Sequence, residues 1–545
     1  MSPPKRTPKR FGPKKGKPRP RPRGQAGPPA LAHPGVKPSD RPKTRPTYEP
    51  RPPSRRPDQR DTARSGRDRP APAAKTGDAR ARDALHVVSI DKLAGSAVAV
   101  ALAVERAVLM DGRRADKAIA WELRFRRDLA APDHRFISRA VFALFRWKGW
   151  IDTLHVEEPE ARLLLAWLLD APSVHPACRV WARALGRDPE RLLSVGDAPN
   201  WTNRGDGWKR LNEGRVVSAD PWRLFPDWLR DHLPLPPGGG SPKMKYLELL
   251  QALQARPPLW VRAQGLDPKA LWAELAGLGL KPWVHRKVGL AAKLDPESDI
   301  HHLPAFERGD LEIQDLASQA VALACDPDPG ERWWDACAGA GGKALHLAAL
   351  MKGKGLVVAS DVHEARLKEA QRRARRSPYR NLTAKAWDGK HVVGKAGKYD
   401  GVLVDAPCSA IGTWRRNPDA RWTLEPTAVA RLAELQAQIL RVAAAGVRPG
   451  GTLVYSVCTL TVAETQGVVR AFLADQPEFQ LDPFPHPLTA EPTDGTLQIW
   501  PQESDTDAMF IARMIRTGVK LAKAPGKIKV ESPPPTPPET KEENP

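Results

Sequence analysis

A parallel, doubly wound α/β sheet is the fold that residues 315–517 predict, and three observations lead there. Short apolar runs of strand length alternate with longer helix-length segments. Glycines cluster at the first strand-to-helix turn, at Gly339, Gly341 and Gly342. Aspartate or cysteine closes one strand after another, and open α/β sheets gather their ligands at the carboxyl ends of strands.

The elements follow in order. Arg332 to Asp335 is a short strand that runs into Cys337-Ala-Gly-Ala-Gly-Gly-Lys343, and a helix is predicted from about Ala344 to Met351. Leu356 to Ser360 is the second strand and ends at Asp361; Leu367 to Arg376 is a strongly basic helix. Asn381 to Ala386 is the third strand, with Asp388 just beyond it. Gly401 to Val404 is the fourth and delivers Asp405-Ala-Pro-Cys-Ser409. A long helix, about Thr427 to Ala445, leads to Pro449-Gly-Gly451, and the fifth strand, Thr452 to Tyr455, delivers Ser456-Val-Cys458.

Upstream the composition changes twice. The 545-residue chain carries a net charge of +23, and residues 1–80 alone hold 23 Lys/Arg against 6 Asp/Glu, together with 19 of the 57 prolines. Residues 1–84 have almost nothing apolar to bury, so they predict a disordered basic arm suited to a polyanion such as RNA. Residues 85–200 predict a compact all-helical domain: Ile137, Ala140, Val141, Leu144 and Phe145 share one helical face, Pro132-Asp133 marks a helix start, and Trp147 and Trp150 belong to the core. Residues 201–242 read as a linker that ends in Pro236-Pro-Gly-Gly-Gly-Ser-Pro242. Residues 243–314 read as a small α/β subdomain, with a strand at Pro258–Arg262 and a helix from Pro268 capped by Asp267. Residues 518–545 read as a disordered tail.

Five cysteines, odd in number and widely spaced, exclude a disulfide framework and suit a reducing cytoplasm. The longest uncharged apolar run, near Leu93 to Val104, is too short to span a bilayer, and no signal peptide is evident.

The strand ends carry the chemistry. The glycine turn lets backbone approach a ligand, the helix after it favours an anion, and Asp361 is placed for ribose hydroxyls. On this turn alone a nicotinamide dinucleotide and S-adenosyl-L-methionine fit equally. Asp388 is a candidate for an adenine amino group. Asp405, Cys408 and Cys458 are more specific, because two thiols and a carboxylate converge on one crevice. No CxxC or His pair supplies a metal site, so no metal is expected, and a redox pair would lack its CxxC spacing. These residue types suit methylation at C5 of a pyrimidine. A thiolate adds to C6 and makes C5 nucleophilic, a carboxyl steadies N3 and the exocyclic amine, and another group assists elimination. The base must leave its stack to reach them.

Together these stretches resemble the bacterial RsmB/Sun family of ribosomal RNA (cytosine-5)-methyltransferases, relatives of the Nop/NSUN enzymes. The resemblance rests on Cys337-Ala-Gly-Ala-Gly-Gly-Lys343, Asp405-Ala-Pro-Cys-Ser409, Arg415-Arg-Asn-Pro-Asp419 with Trp422, Gly450 to Cys458, and Gln314-Asp315 with Ser318-Gln319. Arg114 to Trp147 is similar to the family's NusB-like helical domain. The resemblance implies a class I, Rossmann-like S-adenosyl-L-methionine-dependent methyltransferase domain joined to a small RNA-binding α/β subdomain. It implies Cys458 as the nucleophile and Cys408 as the cysteine that assists release. It implies cofactor contacts from Cys337, Ala338, Gly339, Ala340, Gly341, Gly342, Lys343, Asp361, Asp388 and Asp405. The expected partner is RNA, small-subunit ribosomal RNA foremost, with no membrane, a monomeric chain and a cytoplasmic location. A transfer RNA substrate and a non-catalytic ribosome-assembly factor are the alternatives. Arg415 and Arg416 are candidate phosphate contacts. The chain departs from the family pattern at Ala340, Ala344, Ile411, Val457 and Asp507-Ala-Met-Phe510, and Val457 removes a hydroxyl beside the expected nucleophile.

Overall fold

The computed structural model describes residues 88–171, 173–185, 219–265 and 267–518. The predicted arm 1–84, the first part of the predicted linker and nearly all of the predicted tail lie outside the described residues.

The helical domain forms as the periodicity predicts. Among the described residues its helices are α1 (Ile90–Leu109), α2 (Ala115–Arg124), α3 (Ala131–Ile151), α4 (Pro159–Asp170) and α5 (Pro176–Ala184), and the predicted stretch 186–200 lies outside the described residues. Ser89 caps α1 by accepting from Lys92 N–H at 3.3 Å. On α3 the face Ile137, Ala140, Val141, Leu144, Phe145 is fully buried, as are Trp147 and Trp150. Trp147 Nε1 donates to Asp170 Oδ1 at 3.2 Å.

Two boundaries differ from those predicted. Residues 219–233 are not a loose connection. Their turns at Pro221–Leu224 and Asp227–His232 bury Leu224, Phe225, Leu229 and Leu233 in the core of the helical domain. A β-carbon at Gly149 of α3 would overlap the Arg223 carbonyl, so the glycine lets this segment lie flush on the helix. The helix Pro242–Gln254 adds Leu249, Leu250 and Leu253 to the same core, so the small subdomain begins only after it. Proline and glycine flags mark breaks in helices and strands; they do not show whether the connecting chain is packed.

The small subdomain is a four-stranded antiparallel sheet of order β2-β3-β1-β4, from β1 (Leu259–Ala263), β2 (Trp283–Val284), β3 (Ala291–Leu294) and β4 (Leu311–Ile313). Asp267 caps its helix Pro268–Gly277 by accepting from Ala270 N–H at 3.1 Å.

The large sheet holds β5 (Arg332–Asp335), β6 (Leu356–Asp361), β7 (Leu382–Ala386), β8 (Tyr399–Asp405), β9 (Val447–Val457), β10 (Phe479–Leu481), β11 (Thr496–Ile499) and β12 (Met509–Arg516). The order β10-β12-β9-β8-β5-β6-β7, with β11 on β12, reverses direction between β5 and β8. That is the switch point at which such sheets form a crevice. Strands β5 to β9 are parallel, as predicted. The C-terminal strands are an addition that the prediction lacked: β12 is antiparallel to β9, pairing Phe510 with Val457, and the sheet is therefore mixed. Gly401 of β8 packs directly on the Trp333 ring, where a β-carbon would overlap it.

The segment Ile411–Trp422 joins this domain to the helices. Arg421 is fully buried and donates to the carbonyls of Leu224, Leu253 and Trp414 and to Gln254 Oε1. Trp422 Nε1 donates to Phe145 O at 2.7 Å, and Asp419 accepts from the first N–H of α2 at 2.9 Å. Among the described residues no helix is long and apolar enough to cross a membrane.

Candidate active site

The crevice is built from the ends of β5, β6, β8 and β9. After β5 the chain turns through Gly339 (φ 55°) and Gly341 (φ 84°), both in the left-handed region that favours glycine. Gly341 starts the helix Gly342–Leu350 with no side-chain cap, so the first N–H groups of the helix are open to an anion or a polar ligand. Ala338, Ala340 and Gly342 are half-buried along this turn. Asp361 holds it from β6: its carboxylate accepts from Gly339 N–H at 3.0 Å and from His363 N–H at 2.7 Å. Arg373 Nη1 donates to Ala340 O at 2.9 Å from the other side. The turn is thus a preformed cradle, and the residues present fit the cofactor that the sequence implied. Asp388 stands beyond β7 and is half exposed. Its oxygens are taken up by Lys390 N–H, by His391 N–H and by the His391 ring at 2.5 Å, and these contacts hold its carboxyl below its usual range.

Lys343 and Asp405 meet in the middle. Lys343 Nζ lies 2.7 Å from Asp405 Oδ2, and Ser456 Oγ donates to Asp405 Oδ1 at 2.8 Å. Burial alone would disfavour the Lys343 charge, but Asp405 outweighs it and raises the ammonium above its ordinary range. Below them sits Asp335, fully buried, with neither oxygen in a hydrogen bond of ordinary geometry among the described residues. Burial, reinforced by the Asp405 charge, pushes its carboxyl up to about 8. Burial and Asp335 also raise the Cys337 thiol, which argues against a reactive role for that sulfur.

Cys408 and Cys458 come from different strand ends and meet with their sulfurs 3.4 Å apart. The neighbouring Cys458 sulfur, then burial, raise Cys408 well above the ordinary thiol range, so Cys408 stays protonated. Glu464 clamps the two loops. It accepts from Ser409 N–H at 2.8 Å, Thr461 Oγ1 at 2.8 Å and Gln436 Nε2 at 3.0 Å. Gly412 N–H donates to Cys458 O at 3.1 Å, and its lack of a side chain admits Ala508. Val457 packs into the apolar core beside Phe510, so its missing hydroxyl lies on the core side of β9. Ile411 is likewise a core residue.

One of the two expected phosphate contacts, Arg415, is corrected. Arg415 is 2% exposed and donates to Thr506 O, Arg256 O and Asp505; it is a structural staple with no surface to offer RNA. Arg416 is partly exposed. It bridges Asp315 and Asp507, each at 3.0 Å, and so lines a cavity of about 290 Å³ with Lys343, Asp405, Asp335 and Arg373. Burial and Asp315 raise the Asp507 carboxyl.

Sequence reading thus brought together Cys408, Cys458, Asp405, Lys343 and the glycine turn, and missed Asp335, Glu464, Arg373 and the roles of Asp315 and Asp507. Asp335 had a usable signal, an acid closing the first strand. Glu464 had none, because its partners are gathered from three separate segments.

Comparison with known proteins fits this geometry. The model for the 16S rRNA methyltransferase RsmB/F family matches residues 322–515. The chain is 30% identical over 417 residues to the "Probable ribosomal RNA small subunit methyltransferase B" of Synechocystis, covering 71% of this chain and 92% of that protein. It is 31% identical over 310 residues to the ribosomal RNA small subunit methyltransferase B of Salmonella typhi, covering 56% and 69%. It is 41% identical over 224 residues to the Bacillus subtilis protein described as "Probable ribosomal RNA small subunit methyltransferase B", a match that spans 39% of this chain and about half of that protein, 49%. The crystal structure of PH0851 covers 78% of this chain and 99% of its own at a TM-score of 0.60 and 23% identity, which shows the shared fold. The chain belongs to the RsmB/F family, S-adenosyl-L-methionine-dependent methyltransferases.

Proposed function

We propose that the protein methylates C5 of a cytosine in 16S ribosomal RNA, with Cys458 as nucleophile and Cys408 assisting release. The observation that carries this reading is the pair of sulfurs 3.4 Å apart beside the Lys343–Asp405 ion pair. Two thiols have work to do in C5 methylation, one to attack and one to help eliminate.

When bound, S-adenosyl-L-methionine supplies the methyl group that C5 receives. The glycine turn from Cys337 to Lys343, with Asp361, Asp388 and Asp405 along the strand ends, is the set of residues that would hold it. Cys458 Sγ forms a bond to C6, and the electron pair of the C5–C6 double bond moves to make C5 nucleophilic. Asp405, steadied by Lys343 and Ser456, is placed to fix the exocyclic amine and N3 edge of the base. Afterwards the C5 proton leaves, the double bond re-forms and the Cys458–C6 bond breaks. Cys408, whose sulfur lies 3.4 Å from that of Cys458, would serve that last stage. The NusB-like helical domain and the small sheet would hold flanking RNA.

The test is to incubate Cys408→Ala with S-adenosyl-L-methionine and total RNA and to resolve the products on a denaturing gel. An RNA-linked band that disappears in the Cys408→Ala/Cys458→Ser double variant is expected, and sequencing the trapped RNA distinguishes 16S rRNA from tRNA. Undiminished methyl transfer by Cys458→Ser would overturn the nucleophile assignment.

A further inference from the structure

We infer that the outer face of α2 is a stacking platform for unpaired RNA flanking the target base; this rests on the RNA reading above. The inner face of the helix, Ala115, Ala118, Ile119 and Leu123, is buried. Its outer face presents Arg114, Lys117, Trp121 and Arg124 at spacings of three and four, one stripe along the helix. Trp121 is 50% exposed and Phe125 64% exposed.

These side chains form an ordered group. The Trp121 and Phe125 rings meet edge to face at 5.5 Å and 75°. The Arg124 guanidinium lies 4.0 Å from the Trp121 centroid and 4.7 Å from the Phe125 centroid. Two rings and a guanidinium plane offer faces on which bases stack without regard to sequence. The surrounding charge selects the partner. Residues 113–127 hold six Lys/Arg against two Asp/Glu, and Arg113 and Arg127 are exposed alongside the stripe. An aromatic patch framed by this much positive charge suits a polyanion with planar groups, which describes single-stranded RNA, better than an apolar protein surface.

Its place in the fold connects it to the crevice. The first N–H of α2 is bound by Asp419, three residues after Arg416, which lines the catalytic cavity. At about 1.5 Å of helix rise per residue, Trp121 and Phe125 lie about 9 and 15 Å along α2 from that anchor. A stacked strand advances about 3.4 Å per nucleotide, so those distances equal about three to four stacked nucleotides.

The test uses full-length protein and mobility shifts on two probes, transcribed unmodified small-subunit rRNA and a fully paired RNA duplex. Trp121→Ala/Phe125→Ala is expected to weaken binding of the transcript about 10-fold and of the duplex less than 2-fold, with the KM for RNA rising in parallel and kcat falling less than 2-fold. Trp121→Tyr should restore most of the affinity, because a tyrosine ring still stacks. Arg113→Ala and Arg127→Ala should each lower the log–log salt slope by up to about 1, whereas the aromatic pair should leave it unchanged. Both aromatics are solvent-exposed, so matched melting curves will show whether the variants fold.

Binding of the transcript at the wild-type level by Trp121→Ala/Phe125→Ala would overturn the inference. So would an effect seen only on assembled small-subunit particles, which would assign the patch to a protein, or one seen only as lost sedimentation with phosphatidylglycerol vesicles. A wild type that binds the transcript but transfers no methyl group would count against the proposed function alone, because the binding comparison still reads the platform.

Discussion

The catalytic crevice and the seam between the helical and catalytic domains both concentrate charge, yet they use it in opposite ways. In the crevice Lys343, Arg373 and Arg416 face carboxylates across an open cavity, and the groups stay within reach of a ligand. In the seam Arg421 is sealed from solvent and meets mainly backbone carbonyls. Burial there pushes its guanidinium well below the ordinary range. Arg415 and Arg416 show the contrast within one peptide bond: the first is locked under Asp505 and Thr506, the second opens onto the cavity. The same residue type is machinery in one place and mortar in the other, and what decides is whether water and substrate can reach it. Substitutions should therefore separate activity from stability.

The largest effect is expected in the crevice. Lys343→Met leaves Asp405 without its cation, and kcat should fall about 100- to 1,000-fold, as when one preorganised charged donor is lost. Melting temperature should change much less than for a seam variant. Methyl-transfer kinetics alongside calorimetry will check this; a large stability loss with activity retained would abolish the distinction between the two regions.

The seam should respond in reverse. Arg421→Met removes the donors that serve Leu224, Leu253, Trp414 and Gln254 and leaves those acceptors buried. A loss of about 3 kcal/mol is expected in chemical denaturation. Folded variant protein should keep its cofactor affinity, measured by calorimetric titration with S-adenosyl-L-methionine. A loss under about 1 kcal/mol would mean that packing on Phe225, not hydrogen bonding, holds the seam.

This contrast also explains what the sequence disclosed. Strands β5, β6, β8 and β9 were legible because each carries an apolar stretch that ends at or just before an aspartate or cysteine. The two cysteines were legible because their strand ends fix their destination. Arg415 was read as a phosphate contact because its burial is decided by Asp505 and Thr506, residues about 90 positions away in the chain. The predicted linker failed for the same reason. Nothing local in residues 219–233 states that Gly149 has cleared a place for them on α3. The antiparallel β12 escaped because its apolar run follows no helix-spaced partner and pairs back onto β9 from 53 to 63 residues away.

The smallest effect is the most diagnostic of the crevice itself. Asp335 is the one crevice acid without an ordinary hydrogen bond among the groups described above, and its carboxyl stands at about 8 against 3.8 for an unperturbed aspartate. Between those two values the folded chain holds a proton that the unfolded chain has released. The unfolded state binds fewer protons, so this residue makes stability fall as pH rises from about 4 to about 8, and its penalty is constant above that. Asp335→Asn keeps the size and removes the titration. Relative to wild type, the cofactor-free variant should therefore gain stability steadily from pH 5 to pH 8. One proton sets a limit of about 1.4 kcal/mol per pH unit, and about half of that, near 2 kcal/mol across the interval, is expected because Asp405 and Lys343 share the response. Urea denaturation of both proteins at pH 5, 6, 7 and 8 measures it. A difference that stays flat with pH would show that Asp335 is ionised in the crevice, with Lys343 as its counter-charge; the crevice would then resemble the seam less in its chemistry than even the contrast of Arg415 with Arg416 suggests.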